Sequence, residues 1–267
     1  MSEELELKLL REIKLLREEN NKLKGITESK IPHYQYSKLN FKILESIIDI
    51  KQNFLNETKF NDWFNTKHEV KENDIDFLDK LINKNKLLLD NYSEEDLKAN
   101  FIIPLLNKVD FLLIDKEIRA FYEEKLFYET DKFTLGGTTD FLVSKGLKYA
   151  KKPYFFIQEF TPTPKPPLPE KGEGTYINRS DSLMKNDDPE PQLLAEMVSA
   201  IELNSWNSIK GAYIIGANWN FVILEKVNKN KYQYFISSKF DSMKIEDLVN
   251  IYQYLISIKK EIIDLDS

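Results

Sequence analysis

The sequence predicts a mixed α/β protein: a β-sheet flanked by helices, preceded by a helical N-terminal region and a short coiled coil. Three observations lead there. Residues 5 to 24 repeat leucine and isoleucine at the 4-3-4-3 spacing of heptads. The middle of the chain holds several aromatic and β-branched runs bounded by turn residues, which read as strands. Between two of these runs, the segment from Asp188-Pro189 to about Asn204 carries an apolar stripe at helical spacing. Strands and helix therefore interleave along the chain, as in α/β folds.

Composition bounds the functions available. A chain of 267 residues can bury one good-sized core with an accessory segment. With 42% apolar and 31% charged residues, it has an ordinary soluble composition. The net charge of −6 argues against wholesale coating of nucleic acid and leaves room for a local basic groove. Cysteine is absent, which removes disulfides and thiolate metal sites. His33 and His68 are the only histidines and are far apart in sequence, so a histidine-rich metal site or a serine–histidine relay lacks material; both read as surface or turn residues. No apolar run approaches the roughly 20 residues needed to span a bilayer, and the start, Met-Ser-Glu-Glu, does not read as a signal peptide. The expected location is the cytoplasm, with no membrane partner.

In the heptads, Leu9, Leu16 and Leu23 share one core position and Ile13 and Asn20 the other. Glu12 would face Arg17 of a partner, and Glu19 would face Lys24, while a core asparagine fixes the register of two parallel strands. This predicts a homodimer through residues 5–24; the alternative is an amphipathic helix packed on its own domain. Gly25 and Pro32 end the helix. A helical region over 26–92 follows, with helices over 38–55 and 73–89 and a short aromatic turn or helix at 60–64. Ser93 then caps a helix that has Asp96 at its third position and buries Phe101, Ile102, Leu105 and Leu106, with Pro104 kinking or tightening it.

Strands are expected over 118–130, 139–144 and 153–161, the last two joined by the basic turn Lys145-Gly146-Leu147-Lys148. Residues 162–187 form a proline- and glycine-rich loop of functional or mobile character. After the helix opened by Asp188-Pro189, strands over 209–215 and 220–225 pair across Gly216-Ala217-Asn218. A strand over 232–237 and a closing helix from Ser242 to about Asp264 complete the chain.

The chemistry concentrates in two of these strands. Gly136-Gly137-Thr138-Thr139-Asp140 reads as a glycine turn delivering an acid at a strand start, and Glu159 lies near the end of the next strand. Two carboxylates on neighbouring strands form a hard-oxygen pocket of the kind Mg²⁺ accepts. By alternation, Ile157, Glu159 and Thr161 share one face while Phe156, Gln158 and Phe160 take the other. A residue two places after Glu159 stands beside it, and that residue is Thr161. Gln192 and Glu196, four apart, project together from the following helix. Plain structural roles compete with these: Asp140 as a turn acid, Glu95 as an acid favouring a helix N-terminus, the loop lysines as solvated side chains. Glu159, inside an aromatic strand, needs a partner or a metal.

The order of these elements resembles the PD-(D/E)XK nuclease superfamily and, more closely, a group of bacterial nuclease-like proteins common among Bacteroidetes. Three stretches carry the resemblance: Ser93-Glu94-Glu95 leading to Phe101-Ile102-Ile103-Pro104-Leu105-Leu106; Pro153 to Phe160; and Asp188-Pro189 to Met197 with Leu203-Asn204 and Gly211 to Gly216. It covers about residues 93–240. It implies a restriction-endonuclease-like mixed sheet flanked by helices, with residues 241–267 as a helix packed on that core. It implies Mg²⁺ or Mn²⁺ held by Asp140, Glu159 and the Phe160 carbonyl, with Glu95 as a further ligand and Gln192 orienting the pocket. The family's motif lysine is replaced here by Thr161, which puts activity in question; Lys165, Lys171, Arg179 or Lys185 of the loop could supply the missing charge. The implied function is Mg²⁺-dependent hydrolysis of DNA phosphodiester bonds, in defence against foreign DNA. The rival is a catalytically inactive nuclease-fold protein, a dimeric module binding nucleic acid or a protein partner.

Overall fold

The structure, a computed structural model, describes residues 31–54, 58–164 and 188–265, together with Leu16. The heptads, apart from Leu16, and residues 165–187 of the loop lie outside the described residues, and with them the expected dimer helix and Lys165. In chain order the strands are β1 (His33–Gln35), β2 (Asp49–Gln52), β3 (Ile118–Glu129), β4 (Thr134–Lys145), β5 (Lys151–Thr161), β6 (Ser208–Ile215), β7 (Asn218–Asn228), β8 (Lys231–Ile236) and β9 (Phe240–Asp241). The helices are α1 (Phe41–Ile47), α2 (Asn61–Phe64), α3 (Glu72–Asn85), α4 (Glu94–Leu97), α5 (Ile103–Val109), α6 (Glu190–Asn204) and α7 (Ile245–Leu265). A wide helical turn over Lys98–Ile102 joins α4 to α5.

All nine described strands join one mixed sheet, in the order β1-β4-β5-β6-β7-β8-β2, with β3 on the other edge of β4 and β9 against β7. The β5–β6 pair is parallel, and α6 is its crossover. One core, with Phe101, Ile102, Phe156, Trp219 and Phe221, lies between the sheet and α2, α3, the α4–α5 unit and α7. A second core on the opposite face, with Tyr36, Leu44 and Ile157, packs against α6 and α1. Ile157 and Phe156 fall into different cores, as strand alternation requires.

Three departures from the expected elements have identifiable physical causes. The helix expected over 38–55 stops at Ile47 and turns into β2, which pairs with β8 in parallel register. Its β-branched run Ile47-Ile48-Asp49-Ile50 fits a pleated surface once an edge is available. Together with β1, it brings the region expected to be helical into the sheet. Gly136 and Gly137 are not a turn; they sit inside β4, opposite Phe127 and Leu126 of β3. A Cβ on Gly136 would come within 2.8 Å of the Phe127 ring, and one on Gly137 within 2.9 Å of the Tyr36 ring. The glycines make room for aromatic side chains laid across the strand. Finally, α6 begins at Glu190 with Pro191 in its first turn, and Asp188 Oδ1 accepts from Glu190 N at 3.0 Å.

Ser93 caps α4 as expected, in a reciprocal arrangement with Asp96. Pro104 acts through the turn before it: with no N–H at Pro104, the Asn100 carbonyl accepts from Asn85 Nδ2 at 3.2 Å, and the chain widens so that Ile103 N bonds Lys98 O.

His33 is exposed and bonds Thr134, but His68 is buried, contrary to the surface role expected of it. Its Nδ1 lies 2.8 Å from Lys260 Nζ and its Nε2 2.8 Å from Ser257 Oγ on α7. The ammonium can only donate, so Nε2 carries the ring proton. Burial, and then the Lys260 charge, hold the His68 pKa below its ordinary 6.5. The folded chain therefore binds fewer protons than the unfolded chain just below pH 6.5. This contribution to stability is complete above that pH and is lost as pH falls through the folded pKa. The melting temperature of wild type is expected to fall more steeply than that of His68→Gln between pH 7 and 5; parallel slopes would exclude His68 as the cause. No described helix is long and apolar enough to cross a membrane.

Candidate functional site

The site forms where one edge of β4 changes partner. β3 runs along the whole of one edge. On the other, β1 covers Thr134–Gly136 and β5 covers Phe141–Lys145. Between them Asp140 is left at a fork, its amide bonded by a side chain rather than by β1 or β5. Asp140 N donates to Glu159 Oε1 at 3.0 Å, and Phe160 N donates to Asp140 Oδ2 at 2.9 Å. The two acids named from the sequence thus lock each other in place through main-chain amides, and both line one open cleft of about 510 Å³.

Helix α6 supplies the third side, and hydrogen bonds clamp it at both ends. Glu190 accepts from Tyr213 Oη of β6 at 3.1 Å and Tyr234 Oη of β8 at 3.0 Å. At the other end, Asn204 bonds both backbone groups of Tyr154, at 3.0 and 2.7 Å, where the β4–β5 register shifts. This fixes Gln192 and Glu196 over Glu159. Gln192 Nε2 donates to Glu159 Oε2 at 2.6 Å and to Glu196 Oε1 at 3.2 Å. Burial first, then the Glu196 and Asp140 charges, push the Glu159 pKa well up; burial does the same to Glu196. Glu196 Oε2 is buried with no hydrogen-bond partner in the structure. In a dry site, burial and the neighbouring charges oppose ionisation of both carboxyls at once.

On the other side of Asp140 stands Lys98, from the wide turn after α4. Its Nζ lies 2.8 Å from Asp140 Oδ1, 2.8 Å from Glu123 Oε1 and 2.8 Å from Glu94 Oε1. The Phe160 ring centroid is 5.8 Å away. Burial alone would lower the Lys98 pKa, but the hydrogen bonds to Asp140, Glu123 and Glu94 outweigh it and hold the ammonium well above its ordinary value. Lys98 is therefore a fixed positive charge and not a proton acceptor. Glu123 reaches it from β3 with a left-handed backbone, φ 54°, at the residue facing Asp140 in the strand register. A non-glycine residue held so in mid-strand costs about 1–3 kcal/mol, and such strain gathers at functional sites.

The structure brings Asp140, Glu159, Phe160, Thr161 and Gln192 to one cleft. Glu95 is exposed on α4 and does not line it; its neighbour Glu94 does, because helical geometry aims position 94 at Lys98 four residues on. Lys98 and Glu123 were missed. The spacing of Glu94 and Lys98 signals an ion pair, but nothing local signals Asp140. Among the described residues, no three histidine, cysteine or acidic side chains are grouped as a ready metal cage. Asp140, Glu94 and Glu123 set three carboxylates against one ammonium, with Glu159 bonded to the Asp140 amide. No protein-family model matches the chain, and no curated protein matches it.

Proposed function

We propose that this chain is a Mg²⁺-dependent DNA endonuclease of PD-(D/E)XK type in which Lys98 supplies the positive charge that Thr161 cannot. The observation that supports this reading is the Lys98 ammonium at Asp140, beside the Asp140–Glu159 pair. Asp140 and Glu159 would hold the ion; two carboxylates suffice because Mg²⁺ keeps several of its waters and completes its shell with substrate phosphate oxygens. Bound there, Mg²⁺ supplies Lewis-acid polarisation of the phosphoryl group and a more acidic water. The protein's own groups do the positioning: Gln192 holds Glu159, Glu159 holds the Asp140 backbone, and Lys98 offers charge to the phosphate as negative charge builds up on it. A homodimer through residues 5–24 would present two such clefts to one duplex. A role in defence against foreign DNA rests on the sequence resemblance.

One observation favours the inactive binding module instead. Each oxygen of Asp140 and of Glu159 already has an internal partner: Lys98 and the Phe160 amide, the Asp140 amide and Gln192. Nicking of supercoiled plasmid in Mg²⁺ or Mn²⁺ separates the two. The enzyme reading expects wild type to cut, and Glu159→Gln to lose at least about 10²-fold in rate, the scale of removing a preorganised electrostatic group. A silent wild type with an active Thr161→Lys identifies the module. Should neither cut DNA or RNA, the nuclease reading falls.

A further inference from the structure

We propose that Lys98 is a tethered counter-cation that competes with the divalent ion for Asp140, so that metal entry displaces its ammonium from Asp140 while Glu94 and Glu123 keep hold of it. This inference rests on the metal-binding reading of the site and adds its regulation.

The geometry gives Lys98 more partners than a resting ion pair needs. Asp140 is one of three carboxylates within 2.8 Å of Nζ, and the other two belong to different elements, α4 and β3. Loss of the Asp140 contact leaves the ammonium two anionic partners, so it is not stranded as a buried unpaired charge. Lys98 and Asp140 side chains are only 16% and 12% exposed, where a charge–charge contact is screened far less than on the open surface. Glu94 and Glu123 are 44% and 61% exposed, so the partners left to a displaced ammonium are the more solvated ones. The backbone strain at Glu123 serves the same arrangement, because the left-handed residue lies across from Asp140 and its carboxylate meets the same ammonium. The wide turn gives Lys98 its position: Lys98 opens it, and Phe101 and Ile102 of the same turn are wholly buried, so its backbone is anchored while the flexible side chain can move.

Calorimetric titration of Mn²⁺ into the full chain tests the competition without reference to cleavage. Lys98→Met is expected to bind Mn²⁺ at least about tenfold tighter than wild type, since a unit positive charge a few ångströms from the ligand oxygen has gone. Lys125→Met, which makes the same change in net charge from an exposed position on β3, is expected to shift affinity less than about twofold, the residue of a screened surface charge. Equal affinities for Lys98→Met and wild type overturn the competition while leaving metal binding intact. If wild type and both variants all fail to bind Mn²⁺, the metal reading itself falls and the competition with it. Wild type provides a second measurement that does not rest on Lys98→Met: the Lys98 ε-methylene resonance, identified by its loss in the charge-conserving Lys98→Arg, shifts on addition of Mg²⁺. An unmoved Lys98 signal at saturating Mg²⁺ also overturns the proposal.

Discussion

On the proposed nuclease function, Asp140→Asn is expected to remove Mg²⁺-dependent cleavage, by about 10³-fold or more, while leaving the fold in place. The substitution keeps an oxygen able to accept from the Phe160 amide, so that cross-link of the fork between β4 and β5 is retained. Glu159 still accepts from the amide of residue 140. What goes is the negative charge that balances Lys98 and that a divalent ion needs. Removing a single preorganised electrostatic group in an active site typically costs 10²–10³-fold, and on the proposed function a ligand of the metal would go with it. Cleavage assayed beside circular dichroism checks both halves. An Asp140→Asn protein that melts like wild type and cuts at an unchanged rate would remove Asp140 from the chemistry.

The largest effect on stability is expected at Phe101. Its ring is fully buried in the core that joins the sheet to the α4–α5 unit and α7, in the company of Phe141, Phe156 and Trp219. Phe101→Ala should cost about 3–5 kcal/mol, the transfer of the ring to water plus the cavity left behind. Urea unfolding should show a lower midpoint at unchanged slope. Phe101 also anchors the turn that carries Lys98, so folded Phe101→Ala protein should lose the Mg²⁺-induced shift at Lys98. A loss below about 1 kcal/mol would mean that the turn collapses onto the sheet and fills the space.

The glycine pair before Asp140 shows the limit of reading function locally. Gly136-Gly137 looks the same in sequence whether the chain turns or whether a ring needs the space above it, and here Phe127 and Tyr36 need the space. Glu95 and Glu94 are a second case. Both are acids in the first turn of a capped helix, and only the position of β4 selects Glu94 for the cleft. Lys98 is the third. Its nearest acid in sequence, Glu94, was visible at four residues, but Asp140 lies 42 residues away across a helix and an edge strand.

Much of the scaffold was nonetheless determined by the sequence itself. Alternation put Glu159 and Ile157 on one face of β5 and Phe156 and Phe160 on the other; Ser93 and Asp96 capped α4; helical spacing carried α6 to Asn204 and set Gln192 beside Glu196. These follow from chain geometry, because side-chain period and cap bonding depend on residues a few positions apart. Tertiary structure alone decided that Asp49–Gln52 becomes an edge strand, that β1 and β5 part at Asp140, and that Lys98 is the cation that meets it. Each of those depends on which surfaces come into register across long stretches of chain. A free strand edge or an unbalanced carboxylate exists only once the sheet has formed, and the groups that satisfy it come from wherever in the chain packing brings them near.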